Sequence, residues 1–195
     1  MTPTNDLTKH AETKPASFNT QGLSLVERLK LQKNTPALLL DISGSMNGYG
    51  EGGEKRRIDS LRDIVSSLTN TGKVFSFNDA CHPCLKDAIP NPTGNTYLSI
   101  AFEKLKQQGI KSIILITDGE ANDKPQALDS VENLQLQILY VGPGDTPDFL
   151  KQLAAKAGTI CTKENLNMQK ELTAKITLLL NAGDTNPRQE GSICL

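Results

Sequence analysis

Between residues 36 and 181 the apolar positions alternate between two periodicities. Short continuous apolar runs occur at 37 to 42 (ALLLDI), 73 to 77 (KVFSF), 111 to 117 (KSIILIT) and 136 to 141 (LQILYV), with a shorter candidate at 158 to 162. Runs of this length without polar alternation are what strands buried on both faces need. Between them the spacing lengthens to that of a helix face. Ile58, Leu61, Val65 and Leu68 form one stripe, and Leu98, Ala101, Phe102 and Leu105 form another that stops at Gly109. A third helix is expected from about Pro125 to Asn133, and a fourth from Thr146-Pro147, where a capping hydroxyl precedes a proline suited to the first helical position. A last helix is expected to carry Met168, Leu172, Ile176 and Leu179 on one stripe. Strands alternating with helices predict an α/β domain with a mainly parallel sheet covered on both faces.

The ends of the chain follow neither pattern. Residues 1 to 22 are rich in Thr, Asn, Lys and Pro and read as a flexible arm, and 23 to 33 (LSLVERLKLQK) as a short amphipathic helix. From about 182 the sequence returns to polar, turn-forming residues, so the predicted organisation is an arm over 1–33, a domain over 34–181 and a tail over 182–195.

Composition narrows the function classes. The chain has 195 residues, 37% hydrophobic and 22% charged, with 21 Lys and Arg against 22 Asp and Glu. The net charge of -1 supplies no global basic field for nucleic acid. No apolar stretch approaches the roughly 18 residues that span a bilayer, and the N-terminus lacks the basic start and apolar core of a secretory signal, so a cytoplasmic location is expected. In a reducing compartment the four cysteines are expected to be free thiols.

Ligands of open α/β sheets bind beyond the carboxyl ends of the strands, which directs attention to the residues after each apolar run. The first run ends in DISGS. Asp41, Ser43 and Ser45 are two residues apart and project to one side of an extended or turning backbone. Asp118 follows the 111 to 117 run in ITDGE, and Thr96 opens the second helix in GNTYL. Two carboxylates and three hydroxyls are hard oxygen donors, suited to Mg2+ or Mn2+ and unsuited to zinc. Each residue taken singly could be no more than a turn or helix cap; the five together, in order, point to a metal.

D-x-S-x-S after the first strand, Gly-x-Thr opening a later helix and T-D-G after a buried strand resemble the von Willebrand factor type A (VWA) domain over about residues 36 to 181. The resemblance implies a three-layer Rossmann-like fold and a metal-ion-dependent adhesion site on Asp41, Ser43, Ser45, Thr96 and Asp118. It implies that Ser43 and Ser45 bind the metal directly, and that Thr96, Asp41 and Asp118 do so directly or through water. An open coordination position would take an Asp or Glu carboxylate from a partner protein, so the expected function is metal-dependent protein interaction and the chain is not expected to be an enzyme. The last helix shifts on ligand binding in adhesive members, which makes a similar shift an expectation here.

Three other signals compete. Residues 48 to 53 (GYGEGG) fit G-x-G-x-x-G, but Asp41 occupies the strand end and Glu51 and Glu54 stand where a pyrophosphate would lie, so the stretch reads as a mobile loop rimming the metal site. A strand-end Asp also suggests a Mg2+-dependent phosphohydrolase of haloacid-dehalogenase-like type, yet Ser43 stands where that chemistry needs its acid. Cys81 and Cys84 form C-x-x-C, a spacing used in thiol redox chemistry or as half of a zinc site with Cys161, Cys194 or His10 as further candidates. Chance thiols in a surface hairpin are the favoured reading of that pair, and Cys161 reads as a small buried hydrophobe.

Overall fold

The computed structural model describes residues 36–182 except 70 and 120. The expected arm, the helix over 23 to 33 and the tail from 183 onward lie outside the described residues. Among the described residues six strands form one sheet: β1 (Ala37–Asp41), β2 (Val74–Phe77), β3 (Cys81–Pro83), β4 (Ser112–Thr117), β5 (Gln135–Tyr140) and β6 (Cys161–Lys163). Their order is β3-β2-β1-β4-β5-β6, and every pairing is parallel except β2 with β3. Among the described residues five helices accompany them: α1 (Arg57–Ser67), α2 (Leu98–Gln107), α3 (Lys124–Ser130), α4 (Asp148–Lys156) and α5 (Gln169–Ala182).

The continuous apolar runs have the predicted cause. β1 is buried along its whole length, with Ala37 and Leu39 facing one layer and Leu38 and Leu40 the other. The first layer is closed by α2, α3 and α4 through Leu98, Phe102, Ala127, Leu150 and Leu153; the second by α1 and α5 through Ile58, Leu61, Val65, Leu172 and Ile176. The Gly109 stop is a hydrogen-bonded cap. Gly109 N–H donates to Lys106 O at 2.8 Å and Ile110 N–H to Leu105 O at 3.0 Å, with Gly109 at φ +73 and Ile110 buried with Leu105 in the same cluster.

Three helix expectations are corrected. The third helix runs only to Ser130, and the chain then turns through Asn133 at φ 64. The fourth starts at Asp148 with Pro147 as its N-cap; Thr146 is not the cap, because Pro147 has a helical φ of -57 but an extended ψ of 142 and so stays outside the helix. On the last helix the inward stripe is Leu172, Ile176 and Leu180, with Leu179 only partly buried, while Met168 precedes the helix and is exposed.

The order of the strands decides where a ligand can sit. The chain winds outward from β1 through β2, then crosses to the other side of β1 at β4 and winds the opposite way. The carboxyl ends of β1 and β4 border this reversal, the place where open α/β sheets bind their ligands. Asp41 ends β1, and Asp118 follows the last residue of β4.

Candidate metal centre

Beyond Asp41 the chain tightens into a 3-10 turn at Gly44–Asn47. Asp41 sets the turn: its Oδ1 accepts the Ser43 N–H at 2.8 Å, and its Oδ2 accepts the Thr117 hydroxyl at 2.7 Å. Thr117 Oγ1 in turn accepts the Gly119 N–H at 3.1 Å, so one hydroxyl orders the ends of β1 and β4 together. The Ser43 and Ser45 hydroxyls lie 2.9 Å apart, and Ser45 Oγ donates to Asp118 Oδ1 at 2.9 Å. Ser43 holds the N-cap position of the turn without capping it through its side chain. The plain capping explanation therefore leaves Ser43 and Ser45 unexplained; their hydroxyls are spent on each other and on Asp118.

Thr96 comes to the site by a different route. Gly44 N–H donates to Gly94 O at 3.1 Å and Thr93 N–H to Ile42 O at 2.9 Å, laying the GNT loop beside the DISGS loop. Thr96 is 2% exposed, and its peptide is gripped from the loop after β4. Asn122 Oδ1 accepts the Thr96 N–H at 2.9 Å, and Asn122 N–H donates back to Thr96 O at 2.9 Å. Asp123 then places its two oxygens on the Leu98 and Ser99 N–H groups at 3.0 and 2.7 Å. Tyr97, the N-cap residue of α2, makes no side-chain cap hydrogen bond, and the cap is supplied from 25 residues away. The three loops are thus cross-linked by their own polar groups, with all five expected residues on them.

The electrostatics of the crevice are unbalanced. Asp41 is fully buried, and burial first, then the nearby Asp118 charge, push its carboxyl up to about 7, against the pull of hydrogen bonds from Ser43 and Thr117. Asp118 is met by Arg57, whose Nη2 lies 3.1 Å from Asp118 Oδ2 with both side chains buried. Arg57 also donates to Ser45 O at 2.6 Å and Tyr49 O at 2.8 Å. Among the described residues no group of three or more His, Cys, Asp or Glu side chains gathers as a metal site. The hard-oxygen set of hydroxyls with two carboxylates is the alternative these loops offer, and it fits Mg2+ or Mn2+ in donor type.

Thr117, Asn122, Asp123 and Arg57 were not singled out from the sequence. Thr117 had a signal, since it is the first residue of the T-D-G triplet. Arg57 had one too: an arginine at the first position of a helix opposes the helix dipole and needs a reason. Asn122 and Asp123 offered none, because their partners are distant in sequence.

The Gly-rich loop is tied down rather than free. Tyr49 and Arg56 form an antiparallel bridge, Lys163 pairs with Glu51 at 2.7 Å, and Asn167 Nδ2 donates to Glu51 O at 3.1 Å. The cysteines separate. Cys81 lies on β3 and Cys161 on β6, the two opposite edges of the sheet, roughly 24 Å apart at the usual strand spacing, so they cannot share a zinc ion. Cys194 and His10 lie outside the described residues. Cys81 and Cys84 are free thiols in and just after the edge strand, and burial pushes Cys81 up to about 11 and Cys84 upward, away from the depressed range of redox thiols. Cys161 is only partly buried, packed at the margin of the first core layer.

No protein-family model and no curated protein matches the chain. Solved structures do. The manganese-loaded TRAP protein of Plasmodium vivax is 19% identical over 75% of this chain and 74% of its own, with a TM-score of 0.52. An aerotolerance-related membrane protein of Bacteroides fragilis, bearing multiple mutations to serine, is 18% identical over 74% of this chain and 97% of its own, with a TM-score of 0.54. A von Willebrand factor type A structure from Catenulispora acidiphila is 16% identical over 73% of this chain and 42% of its own, with a TM-score of 0.54. The fold is therefore the VWA fold, an α/β, Rossmann-like arrangement with a mainly parallel central sheet.

Proposed function

We propose that the chain is a divalent-metal-dependent protein-interaction module, in which Asp41, Ser43, Ser45, Thr96 and Asp118 hold Mg2+ or Mn2+ and a partner protein adds an Asp or Glu carboxylate. The observation that carries this reading is the hydroxyl chain from Ser43 through Ser45 to Asp118, 2.9 Å per link, beside the buried carboxyl of Asp41. The manganese-loaded neighbour adds weight to divalent metal binding. A divalent ion, when bound, would supply an electrophilic position for an anionic ligand.

The chain's own residues do the rest. Thr117 and the Ser43 N–H fix the Asp41 carboxyl, Asn122 fixes the Thr96 peptide, and Asp123 locks the start of α2 behind it. The site is thereby built before a ligand arrives, which lowers the ordering cost of binding. The hydroxyls are neutral donors, so they contribute coordination without cancelling cation charge. That is the chemistry of recognition rather than turnover: Ser43 offers no acid for a leaving group, which argues against the phosphohydrolase reading. Among the described residues no helix is long and apolar enough to cross a membrane. A cytoplasmic setting, expected from the sequence, is part of the proposal.

The test is capture from native lysate with wild type in Mg2+, wild type in EDTA and Asp41→Ala in Mg2+. A partner retained only in the first condition supports the reading. The same partners in all three, or metal-dependent phosphatase turnover lost in Asp41→Asn, would contradict it.

A further inference from the structure

Two arginines stand at the N-terminal end of α1, where the helix dipole disfavours positive charge. Arg56 is compensated locally, with Nε and Nη2 on the Asp59 carboxylate at 2.7 and 3.0 Å. Arg57 turns inward instead and is 8% exposed. Its Nη1 donates to Tyr49 O at 2.8 Å, and its Nη2 to Ser45 O at 2.6 Å and Asp118 Oδ2 at 3.1 Å. Among the described residues its Nε is buried without a hydrogen-bond partner. A buried guanidinium with an idle N–H is costly for a group whose only task is to fasten a loop. Space has also been left for it: a Cβ at Gly48 would lie 2.6 Å from Nη2.

The consequence for Asp118 is a division of labour between its oxygens. Oδ2 belongs to Arg57, and Oδ1 meets the Ser45 hydroxyl. Two carboxylates and one guanidinium leave the crevice with one net negative charge when both carboxylates are ionised.

We propose that Arg57 is a positioning residue that sets the charge of the metal site: it takes Asp118 Oδ2, leaves Oδ1 on the hydroxyl side, and cancels one of the two carboxylate charges. The inference rests on the metal-site reading. It explains how a site with two buried carboxylates stays selective for an anionic ligand. With one negative charge to meet two positive ones, the metal centre keeps a net positive charge, and an incoming carboxylate is the group that neutralises it. Arg57 is enclosed and does not itself meet that carboxylate. It acts through Asp118, and through the two carbonyls it fastens the loop beginning at Tyr49 to the rim.

Loss of the Arg57 charge leaves a signature that loss of structure does not. Removing the charge should tighten binding of the bare cation and weaken the gain from an added carboxylate, whereas simple loosening would weaken both. The test is titration of the full chain with Mn2+, read by electron paramagnetic resonance of the free ion, with and without acetate at constant ionic strength. Arg57→Gln is expected to bind Mn2+ at least about fivefold more tightly than wild type, with the acetate enhancement reduced several-fold. Gly48→Ala keeps the charge but displaces the guanidinium, and is expected to shift both quantities the same way by less; it carries the test if Arg57→Gln does not fold. Unchanged or weaker Mn2+ binding in the folded variant would overturn the proposal. Wild type that binds no Mn2+ would instead overturn the metal-site reading beneath it.

Discussion

The Thr117 hydroxyl donates to Asp41 Oδ2 at 2.7 Å across 76 positions of sequence, joining the last residue of β4 to the last residue of β1. Both are fully buried, and the bond spans the point where the sheet reverses its winding. A Thr117→Val substitution keeps the shape and removes the hydroxyl. Asp41 and the Gly119 N–H each lose a partner, and a stability loss of about 1–3 kcal/mol is expected in urea denaturation. An unchanged midpoint would show that the bond is replaced by water.

Asp41 also sets a pH dependence. Its carboxyl is raised to about 7 in the folded chain from an ordinary value of 3.8, by burial and then by Asp118. The folded state therefore holds more protons than the unfolded state between these values. In EDTA this contribution to stability is fully present below about pH 4 and is lost as pH rises towards 7. Thermal melts across pH 4 to 8 should show the loss in wild type and not in Asp41→Asn. Metal binding needs the ionised carboxyl, so Mg2+ affinity is expected to rise by about tenfold per pH unit below 7 and flatten above it, with proton release detectable by calorimetry in buffers of different ionisation enthalpy.

Asp123 is expected to matter for stability although it touches none of the proposed ligands. Its carboxylate satisfies two N–H groups at the positive end of α2. Asp123→Ala should cost about 1–2 kcal/mol, and Asp123→Asn less, measured by denaturant midpoints. Because Asn122 and Asp123 hold the Thr96 segment together, the alanine variant should also weaken Mn2+ binding; stability loss with unaltered Mn2+ affinity would separate the cap from the site.

Gly142 guards the rear of Asp118. An added Cβ would lie 2.4 Å from the Asp118 carbonyl and 2.5 Å from Tyr140 Cε2. Gly142→Ala is expected to cost about 1–3 kcal/mol and to reduce metal affinity by moving the loop after β4. Full metal affinity in this variant would show that the loop yields without disturbing Asp118.

The Cys81 and Cys84 thiols should be inert. Cys81, raised to about 11, is expected to react with iodoacetamide far more slowly at pH 8 than an unfolded control, and a Cys81→Ser, Cys84→Ser double variant should bind Mn2+ as wild type does. Rapid alkylation of Cys81 in the folded chain would reopen the redox reading.

Much of the architecture was legible because its cause is local. The four main strands announced themselves as continuous apolar runs, since burial on both faces leaves no polar alternation, and the helix stripes at Ile58 and Leu98 followed from the same burial. Legibility failed where the cause is tertiary. Leu180 replaces Met168 on the last stripe because α5 begins only at Gln169, after a turn the periodicity cannot place. The 3-10 turn after Asp41 brings Ser43 and Ser45 together, and spacing alone allowed that. The supports around them, Arg57, Thr117, Asn122 and Asp123, act on residues from 24 to 76 positions away. No local pattern encodes such pairings.

Whether these five residues hold a divalent ion is decided by a crystal structure grown with Mn2+ and phased on the manganese anomalous signal. One strong anomalous peak is expected in contact with the Ser43 and Ser45 hydroxyls, beside Thr96 and Asp118, and its loss is expected in Asp41→Ala. A well-ordered crystal at saturating Mn2+ with no peak there, or with an undiminished peak in Asp41→Ala, would contradict it.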